Sequence, residues 1–274
     1  VHDAHELWVE LPSLVGRPLI RWVWQLLAKA LIPRSDATIT VCQGIVEEMR
    51  ARYGVNAAIL RNLPLRLGPV SPLPLRERIG CAATTTLVIY QGGLLPGLGI
   101  DNAIDAMGLL PDGHLVIIGS GPLRDSLGAR CDASPAKARI TFLPAVPFKE
   151  LPAYTAAANI GLFLGDSSGL NLQLALPNKL FEYIAAGVPV VATDWAEVRR
   201  IVLRYDVGIL VPPGSPASAV ADAIRHVAAK RDHYATNCRA AAEELTWENE
   251  VAVLGDVYDA VLGGGKTRLA GTRA

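Results

Sequence analysis

Leu87-Val-Ile-Tyr-Gln-Gly-Gly93 and His114-Leu-Val-Ile-Ile-Gly-Ser-Gly-Pro122 share one pattern, a run of apolar and β-branched residues that ends in glycine. A short apolar run closed by turn residues reads as a strand buried on both faces. After the first run, the glycine-rich turn Gly92 to Gly99 leads into a helical pattern through Ile100, Ile104 and Met107, and after the second a helix takes in Leu123 and Leu127. Further strand-like runs stand at Ile140-Thr-Phe-Leu143, Ile160-Gly-Leu-Phe-Leu164, Val188-Pro-Val-Val-Ala192 and Val207-Gly-Ile-Leu-Val211, mostly with helical segments between them. This alternation predicts a parallel sheet covered on both faces, joined by right-handed crossovers into a doubly wound α/β domain. The ligand crevice of such a domain lies beyond the carboxyl ends of its strands. The turns at 92–99, 120–122 and 165–178 fall there.

The first part of the chain follows the same grammar in shorter form. A strand end is expected before His5-Glu-Leu-Trp-Val9, then an amphipathic helix near Pro18 to Ile32, strand Ala37 to Val41, helix Ile45 to Tyr53 and strand Ala58 to Leu60. Two or three strands do not make an independent α/β lobe. Val1 opens directly onto a mixture of apolar and charged residues, so the chain is expected to be an N-terminally truncated fragment that begins inside a domain. The proline-rich segment Leu63 to Pro74 is the natural linker.

Composition narrows the function classes. The 274 residues are 51% hydrophobic, and 26 basic residues balance 26 acidic ones. That leaves ample material for a buried core and argues against a nucleic-acid partner, which calls for a basic stripe. Cys42, Cys81, Cys131 and Cys238 lie far apart in no C-x-x-C or Cys/His pattern, so neither a metal site nor a disulfide framework is expected. Reduced core thiols fit a cytoplasmic protein. The stretch Leu19 to Pro33 is too short and, with Arg21, Gln25 and Lys29, too polar to span a bilayer. Trp22 and Trp24 in it could touch a membrane interface, but packing against the part of the first lobe that this chain is expected to lack explains the same face. Packing is favoured, because only Arg21 and Lys29 are basic there.

The richest segment for chemistry is Ala175-Leu-Pro-Asn-Lys-Leu-Phe-Glu-Tyr-Ile-Ala-Ala-Gly-Val-Pro-Val-Val-Ala192. Pro177 suits the first turn of a helix, from which the N–H groups of Lys179, Leu180 and Phe181 would point outward. Leu180, Phe181 and Ile184 form the apolar stripe, and Lys179 and Glu182 share the other side. A helix start beside a lysine suits a diphosphate, and a carboxylate one turn deeper can accept from the hydroxyls of a ribose. A surface ion pair between Lys179 and Glu182, worth about 0.2–0.5 kcal/mol, explains the same spacing equally well. The glycines at 92, 93, 97 and 99 would allow close approach of a ligand, yet they lack G-x-G-x-x-G spacing, and a turn without ligand is the commoner outcome. His114, His226 and His233 are scattered on strand and helix patterns and are expected to be structural.

The series Tyr90-Gln-Gly-Gly93, Val116 to Pro122, Phe142-Leu-Pro-Ala-Val-Pro147, Pro177 to Tyr183 and Gly187 to Asp194 resembles glycosyltransferase family 4, of the GT-B fold. Asp3-Ala-His-Glu-Leu7, Ala37 to Gly44, Arg61-Asn-Leu-Pro64 and Thr246-Trp247-Glu248 extend the resemblance over nearly the whole chain, in the family's order. The resemblance implies two Rossmann-like lobes with parallel sheets, the N-terminal one incomplete. On that reading, residues 1–66 are the latter half of an acceptor-side lobe, 67–78 a linker and 79–245 the nucleotide-sugar-binding lobe. Residues 246–264 are a C-terminal helix returning toward the N-terminal lobe, and 265–274 a disordered tail.

It further implies transfer of a sugar from a UDP- or GDP-linked donor to a hydroxyl of a glycan or lipid-linked acceptor, with retention and with neither metal nor cofactor, as in the assembly of cell-surface polysaccharide. His5, Lys179 and Glu182 take the catalytic roles by resemblance: the crevice histidine, the diphosphate cation and the ribose-binding second Glu of the family's E-x7-E motif. Gly92, Gly93, Gly119, Gly121, Val146, Asn178, Leu180 and Phe181 complete the donor site. The location implied is the cytoplasm, with peripheral contact at the inner face of the membrane.

Three positions depart from the family pattern. Leu174 stands where the first motif Glu belongs, with Asn171 expected near the sugar instead, and Gly93 and Leu98 stand where basic residues are usual. Loss of such donors costs about 2.7–4 kcal/mol each in transition-state stabilisation. A non-catalytic nucleotide-binding relative and a GT-B sugar-nucleotide epimerase are therefore the alternative readings. The fragment alone is expected to bind nucleotide without transferring sugar.

Overall fold

The computed structural model describes residues 1–11, 14, 16–68, 70–166 and 169–263. The chain forms two compact units, one from Val1–Leu65, Ser168–Leu176 and Thr246–Ala274, the other from Arg66–Ser167 and Pro177–Leu245.

The first unit opens with β1 (His2–Ala4), α1 (Pro18–Leu31), β2 (Thr38–Thr40), α2 (Gln43–Tyr53) and β3 (Ala58–Ile59). The three strands pair in sequence order and in parallel, with Asp3 opposite Ile39 and Ile39 opposite Ala58. Pro18 starts α1, where its fixed φ suits a first helical turn, and Gly54 closes α2 in the left-handed conformation a C-cap favours. Ala4, Leu7, Val41, Cys42, Ile45 and Met49 form the apolar cluster of this unit. Helix α1 buries none of its residues, and Leu19, Trp22, Trp24 and Leu31 are exposed.

The second unit begins with α3 (Leu75–Arg78), then β4 (Thr86–Gln91), α4 (Ile100–Gly108), β5 (Gly113–Ile118), α5 (Arg124–Ala133), β6 (Ile140–Leu143), α6 (Leu151–Ala156) and β7 (Ile160–Phe163). The short α7 (Leu170–Gln173) belongs to the first unit. The second unit resumes with α8 (Asn178–Ala185), β8 (Val190–Thr193), α9 (Ala196–Tyr205), β9 (Gly208–Val211), α10 (Ala217–Ala229) and α11 (Arg231–Glu244), before α12 (Trp247–Leu262) falls in the first.

The six strands are all parallel, in the order β6-β5-β4-β7-β8-β9, so the winding direction reverses between β4 and β7. Such a reversal is where open α/β sheets place their ligand crevice. The two strands also splay there. β4 pairs with β5 from Thr86↔Gly113 to Gln91↔Ile118, but with β7 only at Val88↔Ile160 and Ile89↔Gly161. Tyr183 of α8 fills the gap, and a Cβ at Gly161 would press into its ring. Its buried hydroxyl accepts the Gln91 N–H at 3.2 Å and lies 3.2 Å from the Leu162 carbonyl, replacing the strand partners lost to the splay.

Two expected boundaries differ. Residues 67–78, read as linker, include α3, whose Leu75 is buried, and the Leu73 N–H bonds the Ala153 carbonyl at 3.0 Å in the second unit. Proline breaks periodicity without preventing a helix from starting at its carboxyl side, as Pro74 does for α3. Residues 168–176, read as part of the continuous 79–245 lobe, group with the first unit, because Leu170, Leu174 and Leu176 pack against the first unit's apolar cluster. The expected tail 265–274 lies outside the described residues.

Candidate nucleotide site

Helix α8 starts one residue later than the sequence pattern suggests. Pro177 is its extended N-cap, and Asn178, which is exposed, is the first helical residue. The Leu180 N–H donates to the Pro177 carbonyl at 3.0 Å, so it is not one of the outward donors expected of it. A tight first turn recovers that bond locally. Leu180 and Phe181 are buried and anchor the helix on the sheet through their side chains.

Lys179 leaves this first turn and reaches under the turn after β4. Its Nζ lies 4.0 Å from the centre of the Tyr90 ring and 6.0 Å from that of Phe163, and a Cβ at Gly92 would stand 3.2 Å from it. Gly92 has φ +123°, a conformation that L side chains rarely adopt, so both backbone and space call for glycine. Burial lowers the Lys179 pKa to about 8, with the Glu182 carboxylate acting in the other direction. Among the described residues Lys179 makes no ion pair; aromatic faces hold its ammonium. A half-buried cation without a bonded carboxylate favours an incoming anion.

Glu182 is half-buried one turn further along. Its Oε2 accepts a 2.6 Å hydrogen bond from Gln91 Nε2, and the Gln91 Oε1 accepts one from Thr155 Oγ1 at 2.8 Å. The surface ion pair with Lys179 that the spacing equally allowed is thus not what holds this carboxylate.

The turn glycines knit the strand ends together. Gly93 receives the Tyr90 hydroxyl on its carbonyl at 2.7 Å. A Cβ on Gly119 would overlap the Gly92 carbonyl oxygen, and one on Gly121 would crowd the Leu94 backbone. Both therefore serve close approach of two backbones. Val146 is half-buried in the loop between β6 and α6. Gly92, Gly93, Gly119, Lys179 and Glu182 are brought together at the carboxyl ends of β4 and β5, at the reversal point.

His5 and Asn171 fall in the first unit, where they line a cavity of about 170 Å³ with Glu6, Asn62 and Leu174. His5 Nε2 is 3.3 Å from Asp3 Oδ2, and its Nδ1 is 3.4 Å from Asn62 Nδ2. A carboxylate only accepts, so Nε2 carries the proton and Nδ1 receives the amide. The amide of Asn171, expected near a sugar, is already engaged: its Oδ1 accepts the Leu7 N–H at 3.0 Å and its Nδ2 donates to the Leu7 carbonyl at 3.2 Å. It pairs like one rung of a sheet with the backbone two residues past His5. Leu174 packs against the apolar cluster, and its carbonyl accepts the Cys42 thiol at 3.3 Å.

Sequence reasoning missed Gln91, Thr155 and Tyr183. A glutamine ending an otherwise apolar buried strand was the one visible signal. A separate cavity of about 250 Å³ at the ends of β7, β8 and β9 is lined by Asp101, Asn102, Asp166, Thr193 and Ser215 among others, with Gly99 of the glycine-rich turn at its edge but neither Lys179 nor Glu182. Among the described residues no three His, Cys, Asp or Glu side chains are grouped to share a metal ion, and no helix is long and apolar enough to cross a membrane.

The family profile described as glycosyl transferases group 1 matches residues 85–230. The chain is 27% identical over 256 residues to the GDP-mannose-dependent alpha-(1-6)-phosphatidylinositol monomannoside mannosyltransferase of Mycobacterium tuberculosis, covering 86% of this chain and 66% of that protein. Among solved structures it is similar to sucrose-phosphate synthase from Thermosynechococcus elongatus, with TM-score 0.77, 23% identity, and 96% and 68% of the two chains covered. It is also similar to Anabaena Alr3699/HepE in complex with UDP, with TM-score 0.73, 18% identity, and 95% and 72% covered. The chain spans 58% and 66% of the length of the first curated relatives it matches. The structural likeness shows the fold, parallel α/β lobes of the GT-B type. With more than half of its length matched by the profile, the chain belongs to the glycosyl transferases group 1 family.

Proposed function

We propose that this protein is a glycosyltransferase that moves a sugar from a UDP- or GDP-linked donor to a hydroxyl of a glycan or lipid-linked acceptor. The observation that carries the reading is Lys179, a half-buried lysine at a helix start whose ammonium lies over the Tyr90 ring and makes no ion pair among the described residues. The donor diphosphate supplies the missing anion, against Lys179 and the backbone of the Gly92-Gly93 turn, and the Glu182 carboxylate receives the ribose hydroxyls. The names of the similar proteins support the donor class, one being GDP-mannose-dependent and another a complex with UDP.

In the reaction the bond from the anomeric carbon to the diphosphate breaks, a bond to the acceptor oxygen forms with retention, and the acceptor proton ends on the diphosphate. Lys179 and backbone donors stabilise the leaving charge, so the proposal needs no metal or cofactor. The exposed apolar residues of α1 are read first as a packing face, with peripheral contact at the inner membrane face as the alternative. Sedimentation with anionic vesicles, compared with a Trp22→Ser, Trp24→Ser variant, tests that part.

Calorimetry of the chain with UDP and GDP tests the site. Micromolar to millimolar binding, abolished by Glu182→Ala, is expected, and no binding to either nucleotide rejects the proposal. Gly93, Leu98 and Leu174 favour a second reading, a nucleotide-binding relative without transferase activity. Sugar transfer or donor hydrolysis with a panel of nucleotide sugars excludes it, and a modified nucleotide sugar formed without acceptor would indicate an epimerase.

A further inference from the structure

Gln91 is the last residue of β4 and is only 1% exposed, as is Thr155 on α6. A buried amide must be satisfied at both ends. Here the two ends are assigned by chemistry, since a carboxylate cannot donate: Nε2 faces Glu182, at 2.6 Å from Oε2, and Oε1 therefore takes the Thr155 hydroxyl at 2.8 Å. The main-chain N–H of Gln91 is held by Tyr183, the neighbour of Glu182 on α8. One residue thus joins β4, α6 and α8, through its side-chain amide to Glu182 and Thr155 and through its main-chain N–H to Tyr183.

We propose that Gln91, backed by Thr155, is a positioning residue that fixes the Glu182 carboxylate for the two ribose hydroxyls and makes the site selective for ribonucleotides over deoxyribonucleotides. The inference rests on the nucleotide-binding reading above. A carboxylate on a half-buried side chain would otherwise rotate. The short, charge-assisted bond from Gln91 commits one direction of Oε2 to the protein, and the remaining lone pairs of Oε2 and those of Oε1 stay available to a vicinal diol. Gln91 itself touches no substrate in this arrangement. Its effect is exerted through Glu182.

The test is calorimetry of the full chain with UDP and its 2′,3′-dideoxy analogue, and with the guanosine pair. The wild-type chain is expected to favour the ribonucleotide by about tenfold or more, the worth of hydrogen bonds to a charged acceptor. Gln91→Met, similar in length but without the amide, is expected to reduce that ratio to about threefold or less while leaving dideoxynucleotide affinity nearly unchanged. Thr155→Val, which keeps the Gln91–Glu182 bond but removes its support, is expected to fall between. Equal loss of affinity for both ligands in Gln91→Met would mean a merely structural role and overturn the inference, as would an unchanged ratio. If Gln91→Met does not fold, an unchanged ratio in Thr155→Val overturns it. A wild-type chain that binds both ligands equally overturns the ribose role of Glu182 itself. A wild-type chain that binds neither overturns the nucleotide reading and this inference with it.

Discussion

The Lys179 ammonium lies 4.0 Å from the centre of the Tyr90 ring, while Glu182, one turn along the same helix, gives its carboxylate to Gln91. Two residues that could have paired on a helix surface are instead turned to different neighbours of β4. The cation is left with an aromatic face, and the anion with an amide. This separation makes the helix start suited to a ligand that carries both a negative diphosphate and neutral hydroxyls.

Lys179 predicts opposite pH dependences for binding and for stability. Burial lowers its pKa to about 8, against an ordinary 10.5. Between those values the unfolded chain binds the proton and the folded one does not, so folding stability should rise with pH through that window. Affinity for a nucleoside diphosphate sugar should instead fall as the ammonium deprotonates, by about tenfold from pH 7 to pH 9. Titrations at several pH values check this, with Lys179→Met expected to show weak binding without that component. A pH-independent affinity would contradict the role of the ammonium.

Tyr183→Phe should cost stability without changing shape. The phenol oxygen accepts the Gln91 N–H and lies within 3.4 Å of two strand carbonyls, Ile89 and Leu162, in fully buried surroundings. Orphaning such groups costs about 1–3 kcal/mol. Urea unfolding should show a lower midpoint at an unchanged slope.

Arg61 and Glu250, 189 residues apart, form a three-point contact in the first unit: Nε to Oε1 at 2.9 Å, Nη2 to Oε2 at 2.7 Å, and the Arg61 N–H to Oε1 at 2.8 Å. Glu250→Ala removes this three-point contact from a partly buried guanidinium just past β3. Because Arg61 keeps some access to water, the expected loss is about 2–3 kcal/mol, below that of a fully buried pair. Amide exchange across α12 should quicken in the variant, and unchanged protection would show that the contact does not hold the helix.

Two glycine-to-alanine changes should have opposite signs. At Gly119 a methyl group would overlap the Gly92 carbonyl, so the alanine variant should disrupt the turn and abolish nucleotide binding. At Gly255, inside α12, nothing lies within 4 Å, so alanine should stabilise the helix by about 0.5–1 kcal/mol. Thermal melts of both variants decide it.

Much of the secondary structure was legible in the sequence. The strands around Val88, Val116 and Val191 are unbroken apolar runs, and the helices around Ile104 and Ile184 show a 3.6-residue period. The motif order pointed to the family, and Lys179 and the Gly92 turn meet as their types suggest. Asn171 and Leu174 were harder to place. They lie between two elements of the second unit yet pack in the first, and nothing in a polar loop signals which neighbour it will meet. Gln91, Thr155 and Tyr183 went unread for a related reason, because their partners stand 64 to 92 residues away.

The sequence by itself determined the order of strands and helices, the parallel sheet and the family, because hydrophobic periodicity and turn chemistry act over a few residues. Only the tertiary structure decided which polar groups face each other. A hydrogen bond needs its partners within about 3 Å, and that distance is set by how β4, α6 and α8 pack at the splay between β4 and β7. The same helix start could have carried an ion pair on a wet surface, and it is the Tyr90 ring below Lys179 and the Gln91 amide beside Glu182 that make it a candidate nucleotide site.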